Sequence, residues 1–336
     1  MKIVYLIGNG FDLNLGLKTK YNDFFNDYAK RRGESNNFVK AVRKAQMDGD
    51  KDWSDLELFF GEYTNEHSTY DGLFSSWSDI QLQLAKYVKS QQKNLYIKPN
   101  NIPEQDKQKS LHSPESFLDE AQYSKIALFL NKYINHRRQI DIINFNYTTT
   151  LEKIYGWSGK SRSLGKGDIG QEYVLNSITH IHGTTEHNLI FGVDNKQQIK
   201  NPTLRDNTEV HDWLIKTISN SHINLNVNKC ASLITNADLI CVFGMSYGKT
   251  DMMWWKKIVS HLRAADARLI MFARGDAVDP VQGFLIGKQI RKKQEQFLDA
   301  AECKEREQVR NKIIVGFNTG IFDTLKPAVS KAPHSI

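Results

Sequence analysis

Met1-Lys2-Ile3-Val4-Tyr5-Leu6-Ile7-Gly8-Asn9-Gly10 opens the chain and sets its architecture. The apolar run is nearly continuous, as a strand buried on both faces requires, and too brief for the core of a secretory signal. Glycines directly after such a strand let the backbone turn sharply and approach a ligand. Further short runs recur at Ile140–Phe145, Ile178–His182, Leu189–Gly192, Leu239–Phe243, Arg268–Phe272 and Lys312–Phe317. Helical patterns separate many of them; one spans Asp251 to Ala264, where Trp255, Ile258, Val259 and Leu262 share a face. Strands alternating with helices predict an α/β fold, with a mostly parallel sheet, helices on its faces and right-handed crossovers.

The interval between the first two runs reads differently. Leu56–Tyr63 and Ile80–Ser90 carry helical periodicity, and strand candidates are few. A polar stretch, Lys98 to Ser113, reads as a flexible loop. The expected organisation is a sheet core from residues 1–30 and 136–323, a helical insertion at 31–135 and a disordered polar tail at 328–336. Lys288–Lys312 reads as one charged amphipathic helix, broken by no proline. Lys288, Arg291, Lys292 and Lys293 in it suit a solvated face better than a nucleic-acid patch.

Composition bounds the function classes. The chain has 336 residues, 40% hydrophobic and 25% charged, with a mean hydropathy of −0.51. These values fit a globular protein and exclude collagen-like and polytopic membrane classes. No stretch approaches the roughly 18 apolar residues of a membrane span, so no membrane contact is expected. Three cysteines form no CxxC pair, which points to a reducing cytoplasm. The net charge of +7 suits anionic partners without naming one.

Four constellations carry chemistry-bearing residues. In Gly8-Asn9-Gly10-Phe11-Asp12, with Gly16 beyond, the glycines could admit a diphosphate; the third glycine of GxGxxG would fall at Leu13, so a plain strand–helix turn is the rival reading. Asn144-Phe145-Asn146-Tyr147-Thr148 ends a strand at the edge where ligands of open α/β sheets bind. The Asn146 amide could orient a hydroxyl or water, or the segment could cap the helix Thr149–Tyr155. His180-Ile181-His182-Gly183 closes another strand, and alternation places both imidazoles on one face. His182 suits a catalytic imidazole and His180 a structural one. A metal pair is the alternative, although no second ligand cluster completes it and no metal is expected. Finally, Gly244-Met245-Ser246-Tyr247-Gly248 permits close approach to a ligand, while Thr250 or Asp251 could be a helix N-cap. Ser54-Asp55-Leu56-Glu57 fits a capping box with Ser54 at N-cap and Glu57 three residues on, although Glu57 could also reach the site.

Together these motifs resemble the bacterial abortive-infection AbiH family. The opening Gly-Asn-Gly-Phe-Asp with Gly16-Leu17 and Tyr21, Trp53 to Glu57, Phe145 to Thr148, Ile181-His182-Gly183, Phe191-Gly192, and Gly244-x-Ser246 through Asp251 carry the resemblance in order. It implies a role in phage defence. Behind it stands a more distant similarity to the sirtuin-like, Rossmann-like fold. Gly8-Asn9-Gly10 with Gly16 is similar to the sirtuin loop that holds NAD, Asn146 to its catalytic asparagine, His182-Gly183 to its His-Gly, and Gly244-x-Ser246 to its later Gly-Thr-Ser. The chain departs from that pattern at Thr148, at Lys18-Thr19-Lys20-Tyr21 and at Asp12, and lacks the paired CxxC zinc module. Protein deacetylation is therefore not expected.

The resemblance implies a nucleotide-consuming effector that cleaves NAD to ADP-ribose and nicotinamide. Asn146 and His182 are the catalytic candidates. Gly8, Asn9, Gly10, Asp12, Gly16, Gly244, Ser246 and Asp251 are the candidates for holding the nucleotide, with Asp12 meeting a ribose hydroxyl or capping a helix. A non-catalytic nucleotide sensor and a metal-dependent nuclease using His180 and His182 are the alternatives. A second copy of the chain, a phage-derived trigger and nucleic acid stay open as partners.

Overall fold

The computed structural model describes residues 1–50, 52–94, 103–167, 169–223 and 226–326. The tail expected at 328–336 lies outside them. Seven strands form one sheet in the order β3-β4-β2-β1-β5-β6-β7. They are β1 (Lys2–Ile7), β2 (Arg138–Asn144), β3 (Arg162–Lys166), β4 (Glu172–His180), β5 (Leu239–Phe243), β6 (Arg268–Ala273) and β7 (Ile313–Phe317). Every pairing is parallel except β3 with β4.

Alternation along β1 explains the two layers. Ile3, Tyr5 and Ile7 point into one core with Ile126, Leu151 and Ile154, while Val4 and Leu6 point into another with Trp255, Ile258 and Phe297. Fifteen helices are described: α1 (Gly10–Asn14), α2 (Tyr21–Arg32), α3 (Asn37–Met47), α4 (Leu56–Tyr63), α5 (Tyr70–Asn94), α6 (Glu104–His112), α7 (Glu120–Asn131), α8 (Thr150–Tyr155), α9 (Pro202–Arg205), α10 (Thr208–Leu214), α11 (Lys216–Ile223), α12 (Asn226–Thr235), α13 (Met252–Ala264), α14 (Phe284–Ala300) and α15 (Arg306–Arg310). Residues of α6, α7 and α8 cover the first face; those of α12 to α15 cover the second. A third core, rich in aromatic rings, joins α2 to α5 to residues 191–215. Among the described residues no helix is long and apolar enough to cross a membrane.

Four local expectations change. Leu189–Gly192 forms no strand: Trp77 and Gln81 of α5 donate to the Phe191 and Leu189 carbonyls at 2.8 and 2.6 Å, so helices bury this apolar run. The polar stretch from Glu104 is not a loop but α6, pinned to the sheet where the buried Tyr5 hydroxyl donates to the Ser110 and Leu111 carbonyls at 3.0 and 2.9 Å. The helix expected over Lys288–Lys312 ends at Ala300. Glu302 then turns left-handed with φ 50°, and α15 folds back so that Arg306 and Arg310 pair with Glu295. At Ser54–Glu57 the N-cap is Asp55, whose Oδ1 accepts from the Leu58 amide at 3.2 Å, and Glu57 is buried.

Candidate functional site

From β1 the chain builds β2 and β4 on one side, then crosses to β5 on the other. The carboxyl ends of β1 and β5 are therefore the point where the strand order reverses, the place where open sheets hold ligands. Glycines join the β1 and β5 loops there by backbone contact. The Gly8 and Gly10 amides donate to the Phe243 and Gly244 carbonyls, each at 2.9 Å. A Cβ on Gly10 would lie 2.4 Å from the Gly244 Cα, so the two loops can touch only as glycines. The amides of Gly8 and Gly10 are thus given to the fold, and α1 is only five residues long. Asn9 is tied sideways to Thr19, its Nδ2 donating to the Thr19 carbonyl at 2.9 Å. Gly16 follows α1 in the left-handed region with φ 85° and open space around it.

Asn146 joins this turn from the β2 side. Its Nδ2 donates to the Gly8 carbonyl at 3.1 Å, which fixes the orientation of the amide. Behind it, Asp12 is enclosed and accepts from the hydroxyls of Thr148 (2.9 and 2.7 Å) and Thr150 (2.8 Å). Asp12 thereby fastens α1 to the loop that carries Asn146; it caps no helix with its side chain. Burial raises its carboxyl to about 6, against the pull of the two threonines. Thr148, read as a cap for the next helix, spends its hydroxyl here instead.

The two histidines part company. β4 ends at His180, whose Nδ1 lies 2.9 Å from the Asn146 carbonyl and whose Nε2 lies 2.6 Å from Glu152. His182, past the strand end, turns its Nε2 to Asp251 Oδ1 at 3.0 Å and packs edge-on against Phe145. Its Nδ1 is buried and has no hydrogen-bond partner. The pair is not brought into one ligand set, and among the described residues no group of three or more His, Cys, Asp or Glu side chains is placed to hold a metal ion.

Asp251 stands at the N-cap of α13 but makes no capping bond with its side chain. The same Oδ1 that meets His182 accepts from Lys216 Nζ at 3.0 Å, and Lys216 also reaches Glu57 Oε2 at 2.9 Å. Lys216 is delivered by an isolated parallel bridge, Val193 with Ile215, which ties the start of α11 to the segment that follows Phe191. Tyr147 closes the chain of contacts, its hydroxyl 2.9 Å from the Ile190 carbonyl and 3.4 Å from Glu57. Burial alone would lower the Lys216 pKa, yet Asp251 and Glu57 outweigh it and drive the value up. Burial likewise opposes ionisation of Asp251, and Lys216 followed by His182 overrides it, holding the carboxyl far below its usual range. Asp55, next to Glu57, is raised to about 6 by burial and then by its acidic neighbour. Three carboxyl groups thus surround one ammonium. The exposed Ser246 lies at the rim: its Oγ and Asp55 Oδ2 would fall 3.6 and 3.4 Å from a Cβ on Gly248.

The sequence comparison decides the family. The family model described as bacteriophage abortive infection AbiH matches residues 4–273. The chain belongs to the AbiH family. A search of curated proteins gives no match. The matched span of this AbiH chain runs from β1 to the end of β6 and contains the whole cluster, and the family assigns the protein to phage abortive infection. Sequence reading singled out Asn146, His182 and Asp251 but passed over Lys216, Asp55 and Tyr147. Lys216 sits in no motif, and its carboxylate partner Glu57 is 159 positions away.

Proposed function

We propose that this AbiH protein is an NAD glycohydrolase, releasing nicotinamide and ADP-ribose to deplete the infected cell. The observation that carries the reading is the buried His182–Asp251 pair, whose second imidazole nitrogen, Nδ1, has no hydrogen-bond partner at the carboxyl end of the sheet. The glycosidic bond breaks with its electron pair passing to the pyridinium nitrogen, so nicotinamide leaves neutral and needs no general acid. Water adds to the ribosyl cation, and His182 takes its proton. Asn146 has its Nδ2 committed to Gly8, which leaves the amide oxygen to orient ribose or water and to face developing positive charge. The surplus of carboxylates from Asp55, Glu57 and Asp251 over Lys216 favours a cationic ring and disfavours a diphosphate at that end. The diphosphate and adjoining ribose belong on the outer side of the Gly8-Asn9-Gly10 turn and the Gly244–Ser246 loop, where Ser246 is exposed. Asp12 and Gly16 support this frame from behind.

Pure protein incubated with NAD, with nicotinamide followed by chromatography, tests the reading. Release that is lost in Asn146→Ala and His182→Ala supports it; release unchanged in both removes the mechanism. Saturable binding of NAD without product would point instead to a nucleotide sensor.

A further inference from the structure

The shared oxygen of Asp251 says which atom of His182 can act. We propose that Lys216 is a positioning residue that fixes Asp251 as a pure acceptor, so that His182 keeps its proton on Nε2 and offers Nδ1 as the base. This rests on the glycohydrolase reading for its chemistry and on side-chain geometry for its atoms.

An ionised carboxylate has no proton to give, so the 3.0 Å contact between Asp251 Oδ1 and His182 Nε2 requires the ring nitrogen to donate. In the neutral ring the other nitrogen then carries only a lone pair. That nitrogen, Nδ1, is the one left without a partner in a residue only 6% exposed. Lys216 holds the arrangement from behind, 97% buried and donating to Asp251 at 3.0 Å and to Glu57 at 2.9 Å. Three elements meet at this point. α4 with its cap brings Glu57 and Asp55, α11 brings Lys216, and the N-terminus of α13 brings Asp251; the Phe145 ring covers His182 from the β2 side. Without the ammonium, Asp251 loses the larger of the two partners that hold its carboxyl low. It is then free to take a proton or rotate, and the imidazole is no longer confined to one tautomer.

Long-range nitrogen–proton correlation spectra of the labelled protein read the tautomer directly, with His182→Gln assigning the signals. The expected wild-type spectrum, recorded where the ring is neutral, has a protonated Nε2 and an unprotonated Nδ1. In Lys216→Met the His182 signals should move to a mixture of tautomers under the same conditions. Asp251→Asn, which removes the obligate acceptor at near-constant shape, should release the tautomer too. A wild-type ring protonated on Nδ1 overturns the inference even if Lys216→Met does not fold, and so does a Lys216→Met spectrum identical to wild type. Failure of the glycohydrolase reading looks different: no nicotinamide is released although the tautomer is as expected.

Discussion

Replacing Lys216 by Met is the sharpest perturbation of the buried cluster. Methionine fills similar volume without charge, so it leaves Glu57 and Asp251 facing each other with only His182 in reach of Asp251. Removing one member of a buried ion pair costs about 3–5 kcal/mol, because the remaining charge stays desolvated. At about 1.4 °C per kcal/mol for a chain of this size, the melting temperature should fall by roughly 4–7 °C at pH 7.5. The pH dependence adds a second signature. Lys216 has a raised folded pKa, so its contribution is complete below the unfolded lysine value and is lost only as pH rises through the folded one. Asp251 has a depressed folded pKa, so its contribution is present above the unfolded aspartate value and is lost as pH falls through the folded one. Between about pH 5 and pH 9 the wild-type contribution is therefore flat. In the variant Asp251 loses the partner that does most to lower its pKa, so the deficit should shrink as pH falls across that window. Urea titrations of both proteins across that range measure it, and Glu57→Gln combined with Lys216→Met should restore more than about 1 kcal/mol. A deficit below about 1 kcal/mol, or one that ignores pH, would refute the account of the cluster.

Other outcomes follow from neighbouring residues. Asp12 has a folded pKa raised from 3.8 to about 6, so its stability contribution is complete below the unfolded value and lost as pH rises through about 6. The swing is on the order of 3 kcal/mol at 1.36 kcal/mol per pKa unit. Asp12→Asn should flatten that part of the acid-range stability curve, as denaturant titrations at pH 4 and pH 7 would reveal. Gly10→Ala forces a Cβ to 2.4 Å from the Gly244 backbone and should cost about 1–3 kcal/mol or more, whereas Gly16→Ala, with open space, should cost only about 1–2 kcal/mol for its left-handed φ. Asp251→Asn should lower nicotinamide turnover by a factor on the order of 10³–10⁴ with little change in KM, measured under saturating NAD.

Much of the sheet was legible because burial on both faces writes itself as continuous apolar runs. β5 carries the expected boundaries, and β6 differs by one residue. Leu189–Gly192 has the same composition but is buried by α5 and α4, and an apolar run does not say which kind of element encloses it. β3, Arg-Ser-Leu-Gly-Lys, is an antiparallel edge with one buried side chain, too polar to announce itself. The site divides along a similar line. Asn146 and Asp251 stand in short segments next to strand ends, where position alone is informative. The alternation that grouped His180 with His182 failed because β4 ends at His180, so its period does not carry the next turn. Glu57 looked like half of a capping box, a local explanation that concealed an ion pair with Lys216.

Cellular metabolite profiling tests the central claim most directly, comparing cells that express the wild-type chain with cells that express His182→Ala. The account predicts that NAD falls while nicotinamide and ADP-ribose rise in the wild type alone. NAD pools that stay level, or fall equally with both proteins, would contradict it.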